Sequence, residues 1–90
     1  MKPIYFTRHA RAKMAERLAT EAEVSETIRE APWRSAEKGK RRASKWFPFG
    51  GMHRGTFFKG KDVEPVFVDE PDRIVVVTVY VYLNQREEQR

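Results

Sequence analysis

The strongest hydrophobic patterning lies near the end of the chain, in Arg73–Leu83, read as Arg-Ile-Val-Val-Val-Thr-Val-Tyr-Val-Tyr-Leu. This run is β-branched and aromatic and contains no Gly or Pro, so it predicts a strand. A period of two places Val75, Val77, Val79, Val81 and Leu83 on one face, and Ile74, Val76, Thr78, Tyr80 and Tyr82 on the other. The aliphatic row suits a dry core, and the row ending in hydroxyls suits a wetter surface. Apolar side chains on both faces predict a central strand rather than an edge.

Upstream the period changes. Lys2–Phe6 is a short apolar run that predicts a first strand, and Thr7 after it has the hydroxyl of a helix N-cap. From Arg8 to Leu18, Ala10, Met14, Ala15 and Leu18 form one apolar helical stripe. His9, Lys13 and Arg17 follow at i, i+4 and i+8, a basic ridge along its border. Cations in the first turn oppose the helix dipole, so Arg8 and His9 are a locally costly choice. Thr20-Glu21-Ala22-Glu23 is a capping box that opens a second helix to about Glu30, with Val24, Thr27, Ile28 and Ala31 inward and Pro32 as its stop.

The stretch Arg34–Arg42 has no apolar period and predicts an exposed loop. Three strands are expected between it and the last one. Ala43–Phe49 carries Pro48, which marks an edge or a bend. Gly50-Gly51 predicts a turn into Met52–Phe58, Lys59–Asp62 a turn into Val63–Val68, and Asp69–Asp72 a turn into the final strand. Asn84–Arg90 predicts a frayed polar tail. The expected fold is α+β, with two N-terminal helices packed on a twisted antiparallel sheet of four to five strands, in one domain spanning 1–90.

Composition narrows the function. Ninety residues allow one modest core, and no segment has the length and apolarity of a membrane span. The lack of cysteine and of an apolar leader in the first twenty residues fits a cytoplasmic address. The formal net charge of +5 is unevenly spread: residues 1–61 carry 15 basic against 6 acidic side chains, and residues 62–90 carry 3 against 7. Arg34–Lys61 holds nine cations and one carboxylate, Glu37. Trp33, Trp46, Phe47, Phe49, Phe57 and Phe58 are interleaved with that charge, although Phe57 and Phe58 fit a core better. Lys13, Lys38, Lys40, Arg41, Arg42 and Lys45 can neutralise phosphates while a ring such as Trp46 stacks on a base, which points to RNA as partner.

Candidate chemistry is sparse. No glycine-rich phosphate loop, zinc pattern or nucleophile elbow is present, so neither a metal nor another cofactor is expected. What remains is an imidazole at His9, cations at Arg17 and along Arg41–Lys45, and hydroxyls at Thr78 and Tyr80. Such a set suits RNA cleavage by the neighbouring 2′-hydroxyl. A base takes that proton, a cation stabilises the phosphorane and an acid protonates the leaving 5′-oxygen.

Phe6-Thr7-Arg8-His9-Ala10, Met14-Ala15-Glu16-Arg17, Glu21-Ala22-Glu23-Val24 and Val77-Thr78-Val79-Tyr80 together resemble a small bacterial family, domain of unknown function 4258. That family is grouped with RelE/ParE-like toxins and with the barnase-EndoU-colicin-RelE ribonuclease fold. The resemblance implies a toxin-type, metal-independent endoribonuclease with His9, Arg17, Thr78 and Tyr80 around one scissile phosphate. It also implies an antitoxin or immunity protein as partner. Lys13 stands where the family often has arginine, and Leu18 where a glycine usually follows the arginine. The alternative reading is a non-catalytic nucleic-acid- or protein-binding module of the same fold.

Overall fold

Strand β1 (Ile4–Phe6) ends where Thr7 begins helix α1 (Arg8–Arg17) in the computed structural model, which describes residues 1–87. The Thr7 hydroxyl accepts from the Ala10 amide at 3.0 Å, and the Thr7 amide donates to the Val76 carbonyl at 3.1 Å. One residue thus caps the helix and anchors it to the last strand. Helix α2 (Glu21–Glu30) opens on the expected capping box: Thr20 accepts from the Glu23 amide, and Glu23 accepts from the Thr20 amide. Between the helices Leu18 adopts a left-handed conformation, φ 65°. Val24, Thr27 and Ile28 are buried as expected. On α1 only Ala10 and Met14 are; Ala15 and Leu18 face solvent because the helix touches the sheet along a narrow line.

The segment expected to be a loop is instead a small hairpin, β2 (Arg34–Ser35) and β3 (Arg41–Arg42), joined by a 3₁₀ turn at Glu37–Gly39. Its backbone closes through the Ala36 amide and the Lys40 carbonyl at 2.8 Å. β4 (Lys45–His53), β5 (Thr56–Asp69) and β6 (Ile74–Asn84) complete a six-stranded sheet of order β1-β6-β5-β3-β2, with β4 paired to the other half of β5. All pairs are antiparallel except β1 with β6. The class is α+β as expected, with one strand more than the upper expectation: the hairpin adds two short strands, while the expected strand Met52–Phe58 is divided between β4 and β5 and Val63–Val68 falls within β5.

Glycine explains where the strand boundaries move. Gly50-Gly51 is not a turn: Pro48 lies opposite Gly60 and Gly51 opposite Phe58, so Phe49 and Gly50 of β4 face the single residue Lys59 of β5. Gly50, at φ 59°, absorbs the extra residue as a bulge that bends the edge strand carrying Pro48. The turn comes later, at Arg54-Gly55, where both φ angles are positive (50° and 82°), as a two-residue hairpin turn requires. Gly60 is not in a turn either. A Cβ there would lie 2.1 Å from Trp46 Nε1, so Gly60 lets the indole lie flat across β5.

β5, rather than β6, is the central strand, pairing with β3, β4 and β6. β6 pairs with β1 only over Ile74–Val76, and α1 runs along its outer edge beyond. The strict alternation expected for β6 also breaks. Val66 faces Thr78 but Phe67 faces Val76, leaving Val77 as an extra residue. The bulge changes the faces: Ile74 and Val76 are buried with Val79, while Val75 and Val77 are only half-buried. The core therefore lies between the helices and a face made of Ile74, Val76, Val79, Val63 and Phe67. Phe57, expected in the core, is 51% exposed, and Phe58 is half-buried, because the β4–β5 hairpin tip extends past the helices.

The expected tail is partly tied down. Gln85 accepts from the Lys59 amide at 3.3 Å, and Arg86 forms an ion pair with Asp62. The last three positions of that tail lie outside the described residues.

Candidate nucleic-acid interface

Directly opposed residues in an antiparallel sheet share a face, so the register alone draws the surface away from the helices. Three rows cross it. Arg34, Arg42, Val66 and Thr78 form the first, Glu64 and Tyr80 the second, and Trp46, Asp62 and Tyr82 the third. Rows are about 7 Å apart, two residues of strand rise. Cations and a hydroxyl occupy one end, aromatic rings the other.

Around Tyr80 the parts converge. The β2–β3 turn and the first row together line an open pocket of about 350 Å³ that includes Glu37, Lys38, Lys40, Arg42, Thr78 and Tyr80. Lys38 holds a left-handed conformation there, φ 57°, a costly position for a side chain with a Cβ. From the other side Arg17 reaches over the edge of β6. Its Nη1 donates to the Val79 carbonyl at 2.9 Å, and its guanidinium lies 5.0 Å from the centre of the Tyr80 ring. Tyr80 and Tyr82 stand nearly parallel, centroids 6.4 Å apart and planes at 15°.

Two carboxylates of the sheet face are paired with arginines, whereas Glu37 in the pocket lining has no ion-pair partner among the described residues. Glu64 lies between Arg42, which donates to it from Nη2, and Arg34 at 3.5 Å. Asp62 pairs with Arg86. Because Glu64 is largely shielded, with 12% of its side chain exposed, it fixes Arg42 at the pocket wall. The buried Arg42 Nε has no hydrogen-bond partner among the described residues.

Of the expected site residues, Arg17, Thr78 and Tyr80 come together with Lys38, Lys40 and Arg42. His9 does not join them by any contact. It is exposed, two turns before Arg17 and so about 12 Å from it along the helix axis. Its end of α1 is tied to Val76, just before the bulge, so it stands beside the β6 edge rather than over the pocket. Lys13 is half-buried between them and pairs with Glu16 at 3.2 Å. Arg41 and Lys45 are on the opposite side of the sheet: Arg41 is in register with the core residue Phe67, and Lys45 lies 3.6 Å from both Glu26 and Glu30 of α2. Trp46 is on the open face, its Nε1 donating to Asn84 at 3.2 Å.

A larger hollow of about 490 Å³ follows the β4 edge past Glu26, Lys45, Trp46, Asp62 and Arg86. Its lysine and arginine are already neutralised by those carboxylates, so the smaller pocket is the better anion site. No group of three or more His, Asp or Glu among the described residues is placed to hold a metal ion. No helix among them is long and apolar enough to cross a membrane. Far from the pocket, in the β5–β6 turn, Glu70 raises Arg73 above its ordinary value by a hydrogen bond.

Sequence reasoning missed Glu64, and it set Tyr82 on the wetter face of the last strand without assigning it to the site. Tyr80-x-Tyr82 spacing carried the signal for the ring, whereas nothing local to Glu64 announces that two arginines from another hairpin fold onto it. Comparison with protein-family models, curated proteins and solved structures finds no match to this chain.

Proposed function

We propose that the open face of the sheet binds RNA and that the chain cleaves it there as a cytoplasmic, metal-independent endoribonuclease of toxin type, restrained by an antitoxin or immunity protein. The observation that carries this reading is the convergence of Lys38, Lys40, Arg42, Thr78 and Tyr80 on one pocket, with Arg17 stacked on the same tyrosine. Nearby cations stabilise a pentacoordinate phosphorane, and fixed hydroxyl donors orient it. In the proposed reaction the 2′-oxygen attacks phosphorus as its proton leaves to a base, and the bond to the 5′-oxygen breaks as that oxygen gains a proton. His9 beside the strand edge and the Tyr80 hydroxyl are the two groups assigned to those transfers.

One observation favours a second reading, a non-catalytic RNA-binding module. Arg17 already serves the Val79 carbonyl and Tyr80, and no contact joins His9 to the pocket. Purified protein incubated with total RNA in the presence of chelator separates the two. Cleavage should yield 2′,3′-cyclic phosphate and 5′-hydroxyl ends. Tyr80→Phe should slow single-turnover cleavage on the order of tenfold to a thousandfold with an unchanged melting temperature. Intact RNA after prolonged incubation would leave the binding module as the function.

A further inference from the structure

We infer that the substrate of this face is an unpaired RNA segment, gripped by base stacking on Tyr82 in addition to phosphate contacts. This rests on the RNA reading above and names the strand type that the face selects. Tyr82 is 51% exposed and Tyr80, which Arg17 partly covers, 37% exposed, both on the stretch of β6 beyond its pairing with β1. Their near-parallel planes present π-faces in succession along β6, with Trp46 two strands away in the same row as Tyr82. Two row spacings, about 14 Å, separate Tyr82 and Trp46 from Arg42 at the cationic end, with Tyr80 between them. A strand laid along β6 therefore meets charge first and rings next.

Those rings are useless against a duplex. In an A-form helix the bases are stacked on one another and the accessible surface is phosphate and 2′-hydroxyl, so aromatic side chains find no free base face. Unpaired bases offer one each, and a single base–aromatic stack is worth on the order of tenfold in affinity. The β2–β3 turn acts in the same direction. It leaves a pocket of about 350 Å³, the scale of a small-molecule site, beside Thr78 and Tyr80. Asp62, next to Tyr82, does not repel the strand strongly, since Arg86 neutralises it.

Fluorescence anisotropy with a labelled 2′-O-methyl oligoadenosine octamer tests this, because the blocked 2′-oxygen prevents cleavage during the measurement. The single strand should bind at least roughly tenfold tighter than a 2′-O-methyl duplex of the same length at equal salt. Tyr82→Ala should lose roughly tenfold for the single strand, with the salt slope and duplex affinity unchanged, and Tyr82→Phe should keep wild-type affinity. The exposed ring leaves no cavity on removal, and a thermal melt confirms that the variant is folded. Equal affinity for duplex and single strand, or full affinity in Tyr82→Ala, overturns the inference while the RNA reading stands. Binding of neither oligonucleotide overturns both.

Discussion

Leu18 shows how one position can carry a cost that composition hides. Its φ of 65° closes α1 with a bond from its own amide to the Met14 carbonyl, a geometry that glycine adopts freely and leucine does not. The side chain is 40% exposed, so little packing offsets the strain. Leu18→Gly should raise unfolding free energy by about 0.5–1 kcal/mol, the left-handed penalty less the extra entropy of an unfolded glycine. Urea denaturation measures it, and a loss of stability would show that the leucine side chain contributes more than its exposure suggests. Below this turn, Lys61 is almost fully buried and donates to the Leu18 carbonyl at 2.5 Å and to Glu23 at 2.9 Å. A strand lysine thus neutralises the end of one helix and the capping carboxylate of the next. In the sequence Lys61 is one more cation of a basic block; only its depth in the fold distinguishes it from Lys59.

At the scale of elements, two bulges decide what the sheet displays. Simple alternation along β6 places Val77 in the core with Val79, but the extra residue at Val77 turns it outward to line the pocket. Val79→Thr should therefore cost about 1–3 kcal/mol, because it buries a hydroxyl where no described partner waits. Val77→Thr should stay within about 0.5 kcal/mol of wild type, as for a surface change. Urea melts of the pair distinguish a bulged strand from a regular one: equal losses at both positions would mean that the alternation runs unbroken. The capped helices, the stop at Pro32 and the strand identity of the last eleven residues of sheet were legible because each is set by neighbours in sequence. The bulges, the continuity of β5 through Gly60 and the β2–β3 hairpin were not. Each depends on a partner strand or on Trp46, and a lone glycine reads locally as a turn. The candidate site was legible to the same extent. Thr78 and Tyr80 share a face because they follow the bulge, whereas Arg41 and Arg42, adjacent in a basic run, point to opposite sides.

For the whole molecule, one sheet face is covered by two helices and the other carries cations, rings and paired carboxylates. The uneven charge seen in the sequence becomes a division between faces only after folding, since Lys45 is drawn to α2 while Lys38 and Lys40 remain with the pocket. Lys38→Gln and Lys40→Gln should each reduce the log–log salt slope of RNA binding by roughly 0.7, as for one lost phosphate contact to a single strand. Arg41→Gln and Lys45→Gln, on the helix side, should leave it unchanged. A slope that responds equally to both pairs would describe diffuse attraction to a basic protein rather than a site.

The location of that site is the central claim, and an amide NMR titration with a short 2′-O-methyl RNA measures it residue by residue. The largest shift changes should fall at Lys38, Lys40, Arg42, Thr78, Tyr80 and Tyr82, with α2 and Lys45 undisturbed. Changes confined to Glu26, Glu30 and Lys45, or none at saturating RNA, would contradict it.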